Sequence, residues 1–180
     1  MDFLDLSRNN TRRERYDSKA SKAISLPAAI ATVSFDFDDN IAFTLRAAAC
    51  LGLSELMIIG VAPSRSFLNS RSGSLYDYIK ISTFTNPVEF NVYCREMEHK
   101  VVAVEMTANA VSLHNYSFSF DKKTVLVLGN ETTGVPGNIT ETNDTVFIPM
   151  FGSGYCLNTS QAGVAAMYEY SRQFSASIKH

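Results

Sequence analysis

Three short segments hold the side chains best suited to chemistry. In Asp39-Asn40-Ile41-Ala42-Phe43-Thr44-Leu45-Arg46, a carboxamide and a guanidinium punctuate an otherwise apolar stretch. Asn40 reads either as a plain helix N-cap, a position asparagine favours, or as a hydrogen-bonding group turned to a ligand. Arg46 reads either as a surface or salt-bridge residue or as a guanidinium awaiting a phosphate, which its planar fork suits. In Val127-Leu128-Gly129-Asn130-Glu131-Thr132-Thr133-Gly134-Val135-Pro136, an apolar run breaks into an acidic loop bounded by Gly129 and Gly134. Glycines there let backbone approach a ligand closely, although an ordinary strand-to-helix turn has the same look. The segment has neither the Gly-Lys-Ser/Thr ending of a P-loop nor the GxGxxG of a dinucleotide site. The third segment runs from Ile148 to Ala162, with Ile148-Pro149-Met150 leading into a Gly/Ser loop and then Cys156-Leu157-Asn158-Thr159-Ser160. Asn158 and Ser160 serve as caps or as ligand groups at a helix N-terminus, and Cys156 as a small filler or a site residue.

The elements that must position these segments follow from periodicity. Strand-length apolar runs at 28–35, 55–61, 78–84, 101–106, 124–129 and 145–150 alternate with helical stretches at 41–51, 87–100 and 157–174. That alternation predicts an α/β fold, a mostly parallel sheet with helices on both faces. Ligands of such sheets bind at the carboxyl ends of strands, where each of the three segments falls. Gly52 should end the first long helix and Pro87 should open the next. Residues 64–74, rich in Ser, Arg and Gly, read as a long and therefore suspicious loop. Residues 7–22 hold six basic and two acidic side chains, a formal +4, with almost no large apolar residue. Residues 1–25 are therefore expected to be a flexible basic arm, followed by a single domain over 26–180.

Composition narrows the function classes. The chain has 180 residues, 46% of them hydrophobic and 19% charged, enough to build one core of its own. A formal charge of -2 gives no general pull toward nucleic acid, so an RNA or DNA partner must be met by a local patch. Cys50, Cys94 and Cys156 are an odd set without CxxC spacing, and His99, His114 and His180 lie far from zinc-ligand spacing. Neither a disulfide framework nor a metal site is expected. The histidines occupy none of the three segments, so no Ser-His-Asp or Cys-His nucleophile array assembles. The N-terminus lacks the apolar core of a signal peptide, and no run of about 18 apolar residues occurs. A cytoplasmic protein without membrane contact is the expectation, and the sequon at Asn138 is then only turn chemistry.

Taken in order, the three segments resemble the SpoU/TrmH branch of the SPOUT RNA methyltransferases. The first motif of that family is matched by Asn40, Ala42 and Arg46. The second is matched by Gly129, Glu131 and Gly134, and the third, the most specific, by Ile148 to Ala162. The resemblance spans roughly residues 27–174 and implies a C-terminal trefoil knot, a rare exception to the rule against threaded chains. It implies S-adenosylmethionine as cofactor, wrapped near Met106, Thr107, Gly129, Gly134, Ile148, Met150, Cys156 and Leu157. The implied reaction is methyl transfer to a ribose 2'-hydroxyl of tRNA or rRNA, without metal, in a homodimer whose site is completed by the second subunit. Arg46 would clamp the adjacent phosphate and stabilise the developing alkoxide, or share the proton with that phosphate. Asn40, Glu131 and Asn158 would hold substrate and arginine in place. RNA grip would come from Arg8, Arg12, Arg13 and Arg15 in the arm and from Arg65 and Arg71.

Two positions depart from the family pattern. Ala42 stands where the family has glycine, so an added methyl could narrow the substrate's path. Cys156 stands where it has serine, which weakens a hydroxyl hydrogen bond. They motivate a second reading, a catalytically weak relative that binds RNA as a structural or chaperone-like factor. A nucleotide-binding α/β protein unrelated to methylation would require coincidence at all three motifs.

Overall fold

The computed structural model describes residues 11–178. Its elements in chain order are α1 (Arg12–Ala20), β1 (Leu26–Val33), α2 (Asp38–Leu51), β2 (Leu53–Ile59), α3 (Arg65–Arg71), β3 (Lys80–Phe84), α4 (Pro87–Glu96), β4 (Lys100–Val104), β5 (Val111–Ser112), β6 (Thr124–Leu128), α5 (Gly137–Thr140), β7 (Asp144–Phe147) and α6 (Thr159–Ser177), with a 3-10 turn over Tyr76–Tyr78.

All seven strands lie in one sheet, in the order β3-β2-β1-β6-β4-β7-β5, and every neighbouring pair is parallel. The central strands β1 and β6 are buried along almost their whole length, as expected of a sheet covered on both faces. Alternate residues feed two separate cores. Ile30, Leu56, Ile58, Leu126 and Leu128 pack with α2, α3 and α6 on one face. Ala29, Met57, Val125 and Val127 pack with Phe90 and Cys94 of α4 and Ile139 of α5 on the other. Truncating a core residue such as Ile30 or Leu126 to alanine should cost about 2–5 kcal/mol.

The order of strands brings the chemistry-bearing loops together. β6 enters between β1 and β4, and β7 enters between β4 and β5. Residues 105–110 therefore straddle the place that β7 occupies. The loops after β4, β6 and β7, and the start of α2 after β1, all open at the carboxyl edge of the sheet.

Four segments differ from the sequence-based expectation. The basic arm is helical over Arg12–Ala20: Thr11 and Glu14 form a reciprocal capping box, and Tyr16 packs edge-on against Tyr78 with centroids 5.6 Å apart. Arg8 lies outside the described residues. The Ser/Arg/Gly-rich stretch is α3 rather than a loop, because Ser64 caps Phe67 N–H and Leu68 is buried against α2. The four-residue α5 and the two-residue β5 are too short for periodicity to reveal. Among the described residues no helix is long and apolar enough to cross a membrane.

Candidate functional site

At the carboxyl edge, α2 starts without a side-chain cap at Phe37, and Asp38 and Asp39 supply negative charge to its first turn. Asn40 is thus inside the helix, not its N-cap. This frees its carboxamide, which is buried and points across the edge. Asn40 Nδ2 donates to Glu131 Oε1 at 2.5 Å, and Asn40 Oδ1 accepts from Asn158 Nδ2 at 3.2 Å. Glu131 Oε2 accepts the backbone N–H of Asp36 at 2.8 Å. Asn158 is the N-cap of α6, where its Oδ1 accepts from Ser160 N–H at 2.9 Å and Ser160 Oγ at 2.7 Å. One residue from each of the three segments is therefore joined in a single chain of hydrogen bonds.

A second set of bonds shapes the loop that carries Glu131. Asn130 and Gly134 exchange two backbone hydrogen bonds. The Asn130 side chain donates to Ser34 O and Asp36 Oδ1 and accepts from Thr132 and Thr133 N–H. Thr159 Oγ1 donates to Gly129 O at 3.0 Å. Glu105 accepts from Met106 and Val135 N–H at 2.9 and 2.8 Å, tying the β4 loop to the β6 loop. Gly134 has φ +71, and a Cβ there would run into the Glu105 carboxylate. A Cβ on Gly129 would run into the Gly134–Val135 backbone. Both glycines are needed for packing within the loop itself.

A cavity of about 390 Å³ opens beside this network between α2 and α6, lined by Asn40, Phe43, Asn158, Ser160, Gln161 and Val164. Beyond it, residues 151–157 form an open loop, where Cβ atoms added at Gly152 and Gly154 would meet no atom within 4 Å. Met106, Met150 and Leu157 expose apolar side chains near this edge, and Cys156 is also exposed. Ile148 is half-buried just beyond the end of β7. Thr107 is set apart, on a second cavity of about 530 Å³ with Val111, Tyr116 and Asp144 at the β5–β7 edge. There burial works against ionisation of Asp144, but hydrogen bonds from Lys100 and Tyr116 hold its carboxyl below the usual range.

Arg46 takes the surface position, one of the two that its sequence allows. It is exposed, and it is not one of the residues lining the α2–α6 cavity. Six residues past Asn40, it emerges on a different side of the helix, beside Gly73 and the Tyr16 hydroxyl. Ala42 is fully buried in the core, so its methyl packs toward the sheet and away from any substrate path. Arg65 pairs with Asp77 at 2.8 Å and Arg71 with Asp39 at 3.2 Å, so neither guanidinium is idle. Arg12 and Arg13 are exposed on α1, and Arg15 is half-buried. Sequence reasoning missed Asp36, Glu105 and Asn130, the residues that brace the loops. The signal available was their position as polar residues within three residues of the ends of strands β1, β4 and β6.

Residues 27–168, which contain all three motifs, match the SpoU rRNA Methylase family. The chain belongs to that family. Among curated SpoU relatives, a tRNA (cytidine(34)-2'-O)-methyltransferase of Ancylobacter novellus is 31% identical over 150 residues, covering 81% of this chain and 92% of its own. A tRNA (guanosine(18)-2'-O)-methyltransferase of Aquifex aeolicus is 32% identical over 99 residues, 54% of this chain and 46% of that protein. The chain likewise spans 48% of a 23S rRNA (uridine(2479)-2'-O)-methyltransferase from Streptomyces viridochromogenes, so it covers about half of several such relatives. The SpoU fold is shared with the A. aeolicus TrmH/SpoU tRNA modifying enzyme at a TM-score of 0.75 and 22% identity, over 92% of this chain and 85% of that one. The S. viridochromogenes SpoU methyltransferase AviRb, solved in complex with AdoMet, aligns at a TM-score of 0.70 and 26% identity, over 82% of this chain and 58% of that one. Helix α1 lies before the span matched to the SpoU family.

Proposed function

We propose that this SpoU-family chain transfers a methyl group from S-adenosylmethionine to a ribose 2'-hydroxyl of structured RNA, tRNA or rRNA, and that it does so as a cytoplasmic homodimer. The observation that carries the reading is the Asn40–Glu131–Asn158 network, which joins the three family motifs at the edge where parallel α/β sheets bind ligands.

The open 151–157 loop, flanked by the exposed apolar side chains of Met106, Met150 and Leu157, suits a cofactor with a flat purine and a short aliphatic tail. Met106, Gly129, Gly134, Ile148, Met150, Cys156 and Leu157 would hold it, with Thr107 at the margin. When bound, S-adenosylmethionine supplies an already activated methyl group on a sulfonium. The protein's share is alignment and the removal of one proton. Asn40 and Asn158 present carboxamides to the substrate's ribose, and Glu131 fixes the Asn40 rotamer. Arg46, which stays protonated, clamps the neighbouring phosphate and stabilises the developing alkoxide as the 2'-hydroxyl passes its proton to an oxygen of that phosphate and the 2'-oxygen takes the methyl group from the sulfonium. Its exposure away from its own chain's cavity suits action across a dimer.

The strand order supports a trefoil knot, since β7 fills a gap straddled by residues 105–110. Residues 113–120 also hold α6, with Gln173 bonded to Tyr116 O and Phe118 N–H. The weak-relative reading loses its first support because the Ala42 methyl is buried in the core. The deciding experiment incubates the chain with labelled S-adenosylmethionine and either total tRNA or rRNA, then maps the modified ribose. Label on a single 2'-oxygen, abolished by Glu131→Ala, is expected. Cofactor binding without transfer to either RNA would overturn the enzymatic reading.

A further inference from the structure

Arg46 occupies an unusual setting for an exposed arginine. Arg65 and Arg71 nearby are engaged by Asp77 and Asp39, whereas Arg46 has no such partner among the described residues. Its guanidinium instead rests against the turn at Gly73, where the backbone is left-handed at φ +78. A Cβ at Gly73 would lie 3.7 Å from Arg46 Nη1, 3.8 Å from Arg46 Cζ and 3.8 Å from the Tyr16 hydroxyl, so the guanidinium and the hydroxyl both border the same turn. The Tyr16 hydroxyl donates to Gly73 O at 3.1 Å. The ring of Tyr16 is held by Tyr78, whose own hydroxyl donates to Asp17 of α1 at 2.6 Å. The turn is rigid from the other side too, since Ser72 is buried and its Oγ accepts Leu75 N–H.

We propose that Tyr16 is a positioning residue for Arg46: helix α1 docks through it onto the Gly73 turn and holds the guanidinium ready for the phosphodiester beside the target ribose. The proposal rests on the phosphate-clamp role of Arg46 given above. It makes the basic N-terminal segment a working part of the site. Tyr16 reaches no substrate atom and acts through Arg46.

The test compares the full chain with Tyr16→Phe, which keeps the ring stacked on Tyr78, and with Arg46→Lys and the double variant. Tyr16→Phe should lower kcat about three- to tenfold, the range expected for loss of one orienting hydrogen bond, and leave KM for S-adenosylmethionine and the melting temperature unchanged. The double variant should be no slower than Arg46→Lys alone; multiplicative losses would show that Tyr16 acts independently and would overturn the proposal. Full activity in Arg46→Lys would sink the clamp itself. A second readout needs no turnover: modification of arginines by a dicarbonyl reagent, followed by peptide mass spectrometry. Arg46 should react several-fold faster in Tyr16→Phe, with Arg65 and Arg71 unchanged, and equal rates at Arg46 would show that Tyr16 does not hold it.

Discussion

Asn158 caps helix α6 and at the same time donates to the carboxamide of Asn40, 118 residues earlier in the chain, which in turn donates to Glu131. One asparagine therefore fixes a helix start and the rotamer of a residue on another helix. The arrangement depends on Asn40 being a donor to one carboxylate. In Asn40→Asp two carboxylates would face each other at hydrogen-bond distance and could not both ionise, so one is raised above its unfolded value. A raised acid contributes stability at low pH and loses it as pH rises. The variant should be destabilised by about 1–3 kcal/mol at pH 7 and approach the parent near pH 4. Thermal melts at the two pH values check this; a pH-independent gap would contradict the pairing.

Gly134 offers a sharper contrast between backbone and space. Its φ of +71 strains an L side chain, and a methyl would push the Glu105 carboxylate off the Val135 N–H, while Gly152 faces open space. Gly134→Ala should cost about 1–3 kcal/mol, lowering Tm by about 2–4 °C per kcal/mol in a chain of this size. Gly152→Ala should melt with the parent. Equal melting of both variants would show that the 129–134 loop tolerates what its geometry forbids.

The sheet and the three convergent loops were legible in the sequence because buried parallel strands are nearly unbroken apolar runs and polar residues follow them directly. Asn40 and Arg46 were legible as types but not as positions. Reading Asn40 as a cap presumed that the helix begins there, whereas Asp38 and Asp39 extend it backwards. The apolar neighbours of Arg46 leave open whether it is surface or site, and the phase of the helix decides its exposure, since Leu45 and Ala48 face the core and Arg46 the solvent side. The docking of α1 rests on Tyr16 meeting Tyr78, a contact between residues far apart in sequence that charge counting does not reveal. Of the two roles its sequence allows Cys156, its exposure removes that of a core filler.

At the far end of the sheet, Glu55 of β2 is fully buried and pairs with Lys123 at 2.5 Å and Lys80 at 2.9 Å, with Ser82 donating as well. Burial alone would raise its carboxyl, but the bonds from Lys123, Ser82 and Lys80 outweigh it and hold it below its ordinary value of 4.5. A depressed acid stabilises the fold above its unfolded value and loses that contribution as pH falls through the folded one. Glu55→Gln should therefore cost about 3 kcal/mol at pH 7, with the deficit shrinking below pH 4.5. Denaturant titrations of parent and variant at pH 7 and pH 3.5 measure it, and an equal deficit at both would rule out the charged pairing as its source.

The three cysteines should separate cleanly in a thiol-labelling experiment. Cys94 is buried on the inner face of α4 and burial pushes its thiol up to about 12, so it should stay unreactive in the native state. Cys50 and Cys156 are exposed and should label. If Cys156 belongs to the cofactor-binding loop, saturating S-adenosylmethionine should slow its labelling at least several-fold and leave Cys50 unaffected. Equal labelling of Cys156 with and without cofactor would remove that residue from the binding loop.

The apolar surface beside the cavity tests the shared-site reading. Phe43 on α2 and Val164 and Tyr168 on α6 are each about half exposed or more, and Val164 and Tyr168 lie one turn apart, on the same side of the helix. Phe43 and Val164 also line the cavity with Asn40 and Asn158. A second copy seated here would cover the apolar patch and close the open side of the site, bringing a second Arg46 into play. Light scattering at micromolar concentration should give about 40 kDa, twice the chain mass of 19.9 kDa. Val164→Glu places a charge on that face; it should leave the melting of the chain near that of an isolated subunit while shifting the mass to a monomer's and abolishing transfer, with cofactor affinity reduced less than turnover. If the parent chain is a monomer that methylates RNA, each subunit must use its own Arg46, and the exposed position of that guanidinium would then require α2 to rearrange on RNA binding.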